Sequence, residues 1–275
     1  MQINNVQLDQ SPYLNLNQSL NKISSGKEIN SAADDASSLS ISDKLRTEAS
    51  GLTQSIDNVN SGLASLQIAD KSISEQSNIL DTVKEKLLQA STDTTSQQGR
   101  DQILTEIKDL LQNFDNIASN TNYNEQTLLQ NASEDKAASQ SQQFQVGTSS
   151  EDIIETDSIQ SNTVGVGLES LVNQEPSSFD ASTARAYLGD VDEALTKLND
   201  YRGDLGSVQN QLQSSGRNLF TQVTSTREAG STIADLDYSK EISDFNKQNI
   251  LAQIGAYGAA QSSNINQNIV TRLLT

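Results

Sequence analysis

Small and apolar side chains recur in alternating steps of four and three along two long stretches of the chain, one towards each end. The first runs through Ala49, Leu52, Ile56, Val59, Leu63 and Leu66, slips once near Ile73, and resumes at Gln76, Leu80, Val83, Leu87 and Ala90. The second runs through Ala184, Leu188, Val191, Leu195, Leu198, Leu205, Leu212, Leu219 and Val223, with Arg202 and Gln209 on the same register. A mean repeat of about 3.5 residues is the narrow seam of a helix buried against other helices, and one slip alters the winding without ending the helix. Neither stripe can cover itself. The spacing therefore predicts a mainly α protein, a long antiparallel helical hairpin or coiled-coil bundle built from both chain ends.

Between the seams the pattern changes. Ser91 to Gly99 is rich in Ser, Thr and Gln and reads as a turn, after which Ile103, Leu104, Ile107, Leu110, Leu111, Phe114 and Ile117 form a wider stripe on a shorter helix folded back on the first. From about Asn131 to Ser182 helical periodicity is lost. Gln143 to Gly147 and Ile153 to Thr156, separated by the polar run Thr148 to Asp152, predict a small central β-hairpin, and Pro176 marks the boundary before the next helix. A hairpin of helices places both termini at one end and this middle at the other.

Composition narrows the function. The chain lacks His, Cys and Trp, which removes imidazole bases, thiol nucleophiles, disulfides and most zinc ligands, so neither an enzyme nor a bound cofactor or metal is expected. With 36 acidic against 18 basic residues the net charge is −18, unsuited to nucleic acid or to anionic membranes. No apolar run is long enough to span a bilayer, and Met1 to Val6 lack the pattern of a secretory signal. Aromatic residues make up only 4%, so a thick globular core is not expected.

The last segment carries Tyr238, Ile242, Phe245, Ile250, Ile254, Tyr257, Ile265, Ile269 and Leu273, spread more widely than a seam, and only Tyr13 to Ile23, with Leu16, Leu20 and Ile23, is available to cover them. A lone molecule would expose a sizeable apolar patch. Burial between copies is the expected remedy, with both ends ordering as they assemble. Arg202 on the second seam is costly unless paired, and is expected to fix register or partner. Asp34-Asp35 is expected to cap a helix start, where carboxylates are favoured.

Ser19-Leu20-Asn21-Lys22-Ile23-Ser24-Ser25-Gly26 followed by Ile29-Asn30-Ser31-Ala32-Ala33-Asp34-Asp35-Ala36 resembles the amino-terminal signature of bacterial flagellins. Gly51-Leu52-Thr53-Gln54, Asn122-Tyr123-Asn124, Phe144-Gln145-Val146-Gly147, Leu205-Gly206-Ser207-Val208-Gln209-Asn210, Asp237-Tyr238-Ser239-Lys240-Glu241 and Ile250-Leu251-Ala252-Gln253 follow in the family's order. The resemblance covers most of 13–132 and 184–275, with a minimal middle. It implies a structural subunit that polymerises into the extracellular flagellar filament used for swimming, with residues 1–34 and 234–275 as inner-core helices, 35–132 and 183–233 as a helical rod, and 133–182 as a short central region. The implied partners are further copies of the chain, an export chaperone, the filament cap and hook–filament junction proteins. A flagellin-like junction protein, or a secreted paralogue that does not polymerise, is the alternative.

Two departures stand out: Glu28 replaces the family's usual Arg, and Asn266 its usual proline. Leu80 to Leu87 matches the family's patch for a vertebrate innate immune receptor, with Thr82 and Lys86 at the discriminating positions beside Lys84 and Glu85, which implies weak recognition.

Overall fold

The computed structural model describes residues 11–274, and the chain divides into two compact units, one of 1–50 with 223–275 and one of 51–222. Its helices are α1 (Ser11–Ser25), α2 (Ala32–Ala90), α3 (Gln97–Asn120), α4 (Thr163–Val166), α5 (Glu169–Val172), α6 (Ala181–Ala234) and α7 (Tyr238–Leu274). The strands are β1 (Asn122–Tyr123), β2 (Gln126–Thr127), β3 (Gln143–Gln145) and β4 (Ile153–Glu155), paired as two antiparallel hairpins. The chain is thus mainly α, with long helices from both ends and small strand pairs between them.

In the 51–222 unit α2, α3 and α6 are packed by the predicted stripes. The register of α6 on α2 is antiparallel: Gly216 lies against Val59, Arg202 Nε donates to Asp70 at 2.9 Å, and Lys84 meets Asp192 at 2.5 Å. On α2 Leu52, Val59, Leu66, Leu80, Val83 and Leu87 are buried, while Ile56 and Leu63 flank the seam half-buried. On α6 Leu198, Leu205, Leu212 and Leu219 are buried, but Ala194 occupies the fully buried position and Leu195 sits half-buried at its edge. The α2 seam ends at Ala90, whose carbonyl accepts from Arg100 Nε, and Ser96 caps α3 by accepting the Gly99 N–H at 3.2 Å. Ile103, Leu104, Ile107, Leu111 and Phe114 then fold back onto α2.

Gln76, on the α2 register, is fully buried. Its Nε2 donates to the Phe114 and Ser161 carbonyls at 3.0 and 2.9 Å, so one amide ties α2 to α3 and to the segment before α4. The predicted central hairpin is β3–β4, with Phe144 opposite Ile154. Phe144 lies flat on α2 at Gly62, where a Cβ would come within 2.8 Å of the ring. The second hairpin, β1–β2, was not anticipated: it turns at Asn124 and Glu125, both with positive φ. The short helices α4 and α5 also lie in the region read as irregular. Asp115 on α3 reaches the α4 start, accepting from the Thr163 N–H and hydroxyl.

In the unit of 1–50 with 223–275, α1 packs against α7. Pro12 lies in the first turn of α1, where a missing N–H costs nothing. The chain leaves α1 through Gly26, whose φ of 71° and close approach to the Tyr238 hydroxyl exclude a side chain. An antiparallel bridge between Lys27 and Asp235 follows. Glu28 forms an ion pair with Lys22 at 2.5 Å, and this bond holds the Lys22 ammonium above its ordinary pKa. The backbone is extended at Asp35, whose carboxylate accepts from the Ser37 and Ser38 N–H groups and the Ser38 hydroxyl, and so caps the helix that follows. Asp34 closes the preceding turn by accepting from Asn30 and Ser31. These bonds lower both carboxyl pKa values, chiefly through the Asn30 N–H for Asp34 and the Ser38 hydroxyl for Asp35.

Candidate functional site

The α1–α7 pair is built with most of its large apolar residues outward. Along α7 the positions Glu241, Phe245, Gln248, Ala252, Ala259 and Ser262 follow the four-three register of a packed seam, and all are buried or half-buried. Ala252 is 5% exposed and Glu241 9%. Gln248 keeps its Oε1 buried without a partner. From α1, Ser19 is buried, and Leu16, Lys22 and Ile23 are half-buried. Beside the half-buried Phe245, Leu16 and Ile23, polar and small groups thus occupy much of the face that would hold leucines in a stable two-helix pair.

The opposite faces carry Ile242, Ile250, Leu251, Ile254, Tyr257, Ile265 and Ile269 on α7, and Tyr13, Leu14 and Leu20 on α1, all exposed, with Tyr238 exposed at the start of α7. Ile254 is 61% exposed and Tyr257 78%. At about 1.5 Å per residue the 15 residues of α1 extend some 22 Å and the 37 of α7 some 56 Å, so α1 cannot flank the whole of α7. Residues 248–271 hold no charged side chain. No helix is long and apolar enough to cross a membrane among the described residues.

Most of the residues predicted from the two ends fall on this exposed surface. Phe245, Leu16 and Ile23 turn partly inward instead, and the side chain of Leu273 lies outside the described residues. Leu14 and Leu251 belong to the surface and were missed. The signal that would have found the inward face is the four-three register through Glu241, Phe245, Gln248, Ala252, Ala259 and Ser262, in which polar and small residues predominate.

Arg202 spends its Nε on Asp70 within the chain. Along 80–87, Leu80, Val83 and Leu87 are buried, Thr82 and Glu85 are exposed, and the two lysines are paired, Lys84 with Asp192 and Lys86 with Glu106, each at 2.5 Å. The bond to Glu106 raises the Lys86 pKa. No group of three or more acidic side chains that could hold a metal occurs among the described residues.

Two family models match the chain: the bacterial flagellin N-terminal helical region over residues 1–134 and the bacterial flagellin C-terminal helical region over 188–274. The flagellar filament 31.3 kDa core protein of Treponema maltophilum is 32% identical over 259 residues, 92% of this chain and 91% of that protein. The crystal structure of Bacillus cereus flagellin matches with a TM-score of 0.51 at 25% identity, covering 59% of this chain and 88% of that one. A putative flagellar hook-associated protein of Vibrio parahaemolyticus matches with a TM-score of 0.59 over 74% of this chain and all of that one, but at 12% identity this shows shared fold alone.

Proposed function

The chain belongs to the bacterial flagellin family and is a structural, self-assembling subunit of the flagellar filament, and from that premise we propose how its residues divide the work. Residues 1–34 and 234–275 form the inner core of the filament, 35–132 and 183–233 the rod around it, and 133–182 a short solvent-facing region, the filament standing outside the cell and driving swimming. The observation that carries this reading is the outward stripe of α7, Ile250, Ile254, Tyr257, Ile265 and Ile269, exposed in a single copy. Covering each of these half-exposed side chains is worth about 1 kcal/mol, so several copies in contact gain far more than one pair of helices can. Tyr13, Leu14 and Leu20 extend the same surface onto α1.

The rod seam, with Arg202 bonded to Asp70, keeps the register of each subunit. An export chaperone, the cap and junction proteins are the further partners this division requires. Thr82, Lys84, Glu85 and Lys86 give weak recognition by a vertebrate innate immune receptor, and a cell reporter as responsive to this chain as to a flagellin with the usual Arg-bearing patch would remove that assignment. The junction-protein and non-polymerising alternatives are not favoured, since the match spans nine-tenths of a filament core protein.

The deciding experiment is electron microscopy of purified protein seeded with filament fragments. Filaments are expected from the native chain, and none from Ile254→Asp with Tyr257→Asp, while the thermal unfolding of the 51–222 unit is unchanged. Filaments of native morphology from that double variant would overturn the assignment of the α7 stripe.

A further inference from the structure

A groove of about 1020 Å³ opens in the 51–222 unit, between α2, the end of α3, the β1–β2 hairpin and the strand β3. Its composition is unlike the rest of the chain. The twenty residues from Asn58 to Phe144 that line it include nine side-chain amides and a single charge, that of Glu125, whereas one residue in five of the whole chain is charged. Among the described residues, the side-chain amides of Asn120, Asn124, Gln126, Gln140 and Gln143 and the Tyr123 hydroxyl have no intramolecular hydrogen-bond partner. Each amide offers both a donor pair and an acceptor, and none carries a net charge.

Two rings complete the wall. Phe144 is half-buried, its ring held against the α2 backbone because residue 62 is glycine. Tyr123, also half-buried, is presented by the tight β1–β2 turn. A ring offers an apolar face to C–H groups, and the tyrosine adds a polar tip. The walls are too polar for the mainly apolar lining that a drug-like ligand requires. A cation would meet one carboxylate, and an anion would meet no positive charge in a chain of net charge −18.

We propose that this groove binds a neutral oligosaccharide, its hydroxyls bonded by the free amides and its sugar C–H faces laid on Phe144 and Tyr123. Such a ligand matches every feature of the wall: many hydroxyls that donate and accept, apolar ring faces, and no charge. The saccharide comes either from solution or from a chain attached to a neighbouring copy. This site is independent of the α1–α7 surface, and only the second of these sources rests on the filament reading.

The test uses the full-length protein, with chitotetraose and maltotetraose as neutral probes and trigalacturonate as the anionic control, read by saturation-transfer NMR and titration. At least one neutral probe is expected to bind, and trigalacturonate not to. Gln140→Ala with Gln143→Ala is expected to weaken binding at least tenfold, and Asn124→Gly, which keeps the positive-φ turn, to weaken it as well, with far-UV circular dichroism unchanged. Phe144→Ala is expected to abolish it. No binding of either neutral probe by native protein overturns the proposal, as does equal binding by the double amide variant. Variants that lose filament assembly while the native groove ignores both probes would assign the groove to a contact between copies, which also overturns it. Intact-mass measurement separates the sources: added hexose or hexosamine masses place the sugar on a neighbouring copy, and an unmodified mass leaves solution saccharide as the ligand.

Discussion

Gln76 is a polar residue at a core position whose neighbours leave it no water. Its Nε2 donates to two backbone carbonyls, that of Phe114 inside α3, which the helix already satisfies, and that of Ser161, while its own Oε1 is buried without a partner. Leucine at this position fits the seam and removes the unpartnered Oε1, but it strands the buried Ser161 carbonyl, and a stranded buried carbonyl costs more than the lost bond itself. Gln76→Leu is expected to destabilise the 51–222 unit by about 1–3 kcal/mol, a fall of roughly 3–10 °C in its calorimetric transition. A Tm within a degree or two of native would show that these bonds are replaceable. Asp180 supplies a second residue-level test. Its carboxylate accepts from the Thr183 N–H and the Ser182 hydroxyl at the start of α6, and these bonds hold its pKa down from 3.8 to about 2. A depressed folded pKa means that this cap contributes fully above the unfolded value and is lost as pH falls through about 4 towards about 2. The Asp180 carboxyl resonance should titrate near 2, with faster amide exchange at 181–184 below that pH. A midpoint at the ordinary carboxyl value would mean that the cap is not formed.

At the scale of elements, α7 has a seam that cannot hold a strong pair. Glu241 and Gln248 stand one heptad apart on the inward face, with Phe245 between them and the small residues Ala252, Ala259 and Ser262 beyond, so the α1–α7 association is weak and the larger gain lies outward. Gln248→Leu removes a buried, unpartnered carbonyl and adds apolar contact, so it should strengthen the lone pair by about 1–2 kcal/mol. Hydrogen exchange of the unassembled protein is expected to show about five- to thirtyfold greater protection in the first turns of α7 and in α1. Unchanged protection would mean that position 248 does not face α1. This element also marks the limit of sequence reading. The α2 and α6 stripes were legible because apolar residues mark the buried side, and β3–β4 because two alternating runs flank a polar turn. In α7 the rule inverts: its apolar residues mark the exposed side, so hydrophobicity alone gives no inward face and Phe245 was placed with its outward neighbours. The hairpin β1–β2 escaped because its strands are two residues each and depend on positive φ at Asn124 and Glu125, only the first of which is a recognisable turn residue. The helix α4 depends on Asp115, 48 residues away, a link no local pattern carries. The groove was invisible for the same reason, since its wall is gathered from a polar face of α2, the end of α3 and polar segments far along the chain.

Over the whole molecule, charge is divided unevenly. Residues 1–50 with 223–275 hold 11 acidic and 8 basic side chains, while 51–222 hold 25 and 10, so the two units carry −3 and −15. The near-neutral unit carries the exposed apolar surface, and the other carries the charge that keeps a free subunit soluble. Association must bring the −15 units of several copies close together while gaining energy only at contact range. At about 10 mM salt the screening length is about 30 Å and this repulsion reaches neighbouring copies, whereas at about 150 mM it shrinks to about 8 Å. Apolar burial is insensitive to such a change. The ion pairs that salt weakens, Lys84–Asp192 and Lys86–Glu106, are partly exposed and contribute little to each subunit. The critical concentration for seeded assembly, measured by sedimentation, is therefore expected to fall severalfold between these two salt levels. A critical concentration that rises with salt would mean that copies are joined by ion pairs across their rods, and that the uncharged face of α7 is not what holds the polymer together.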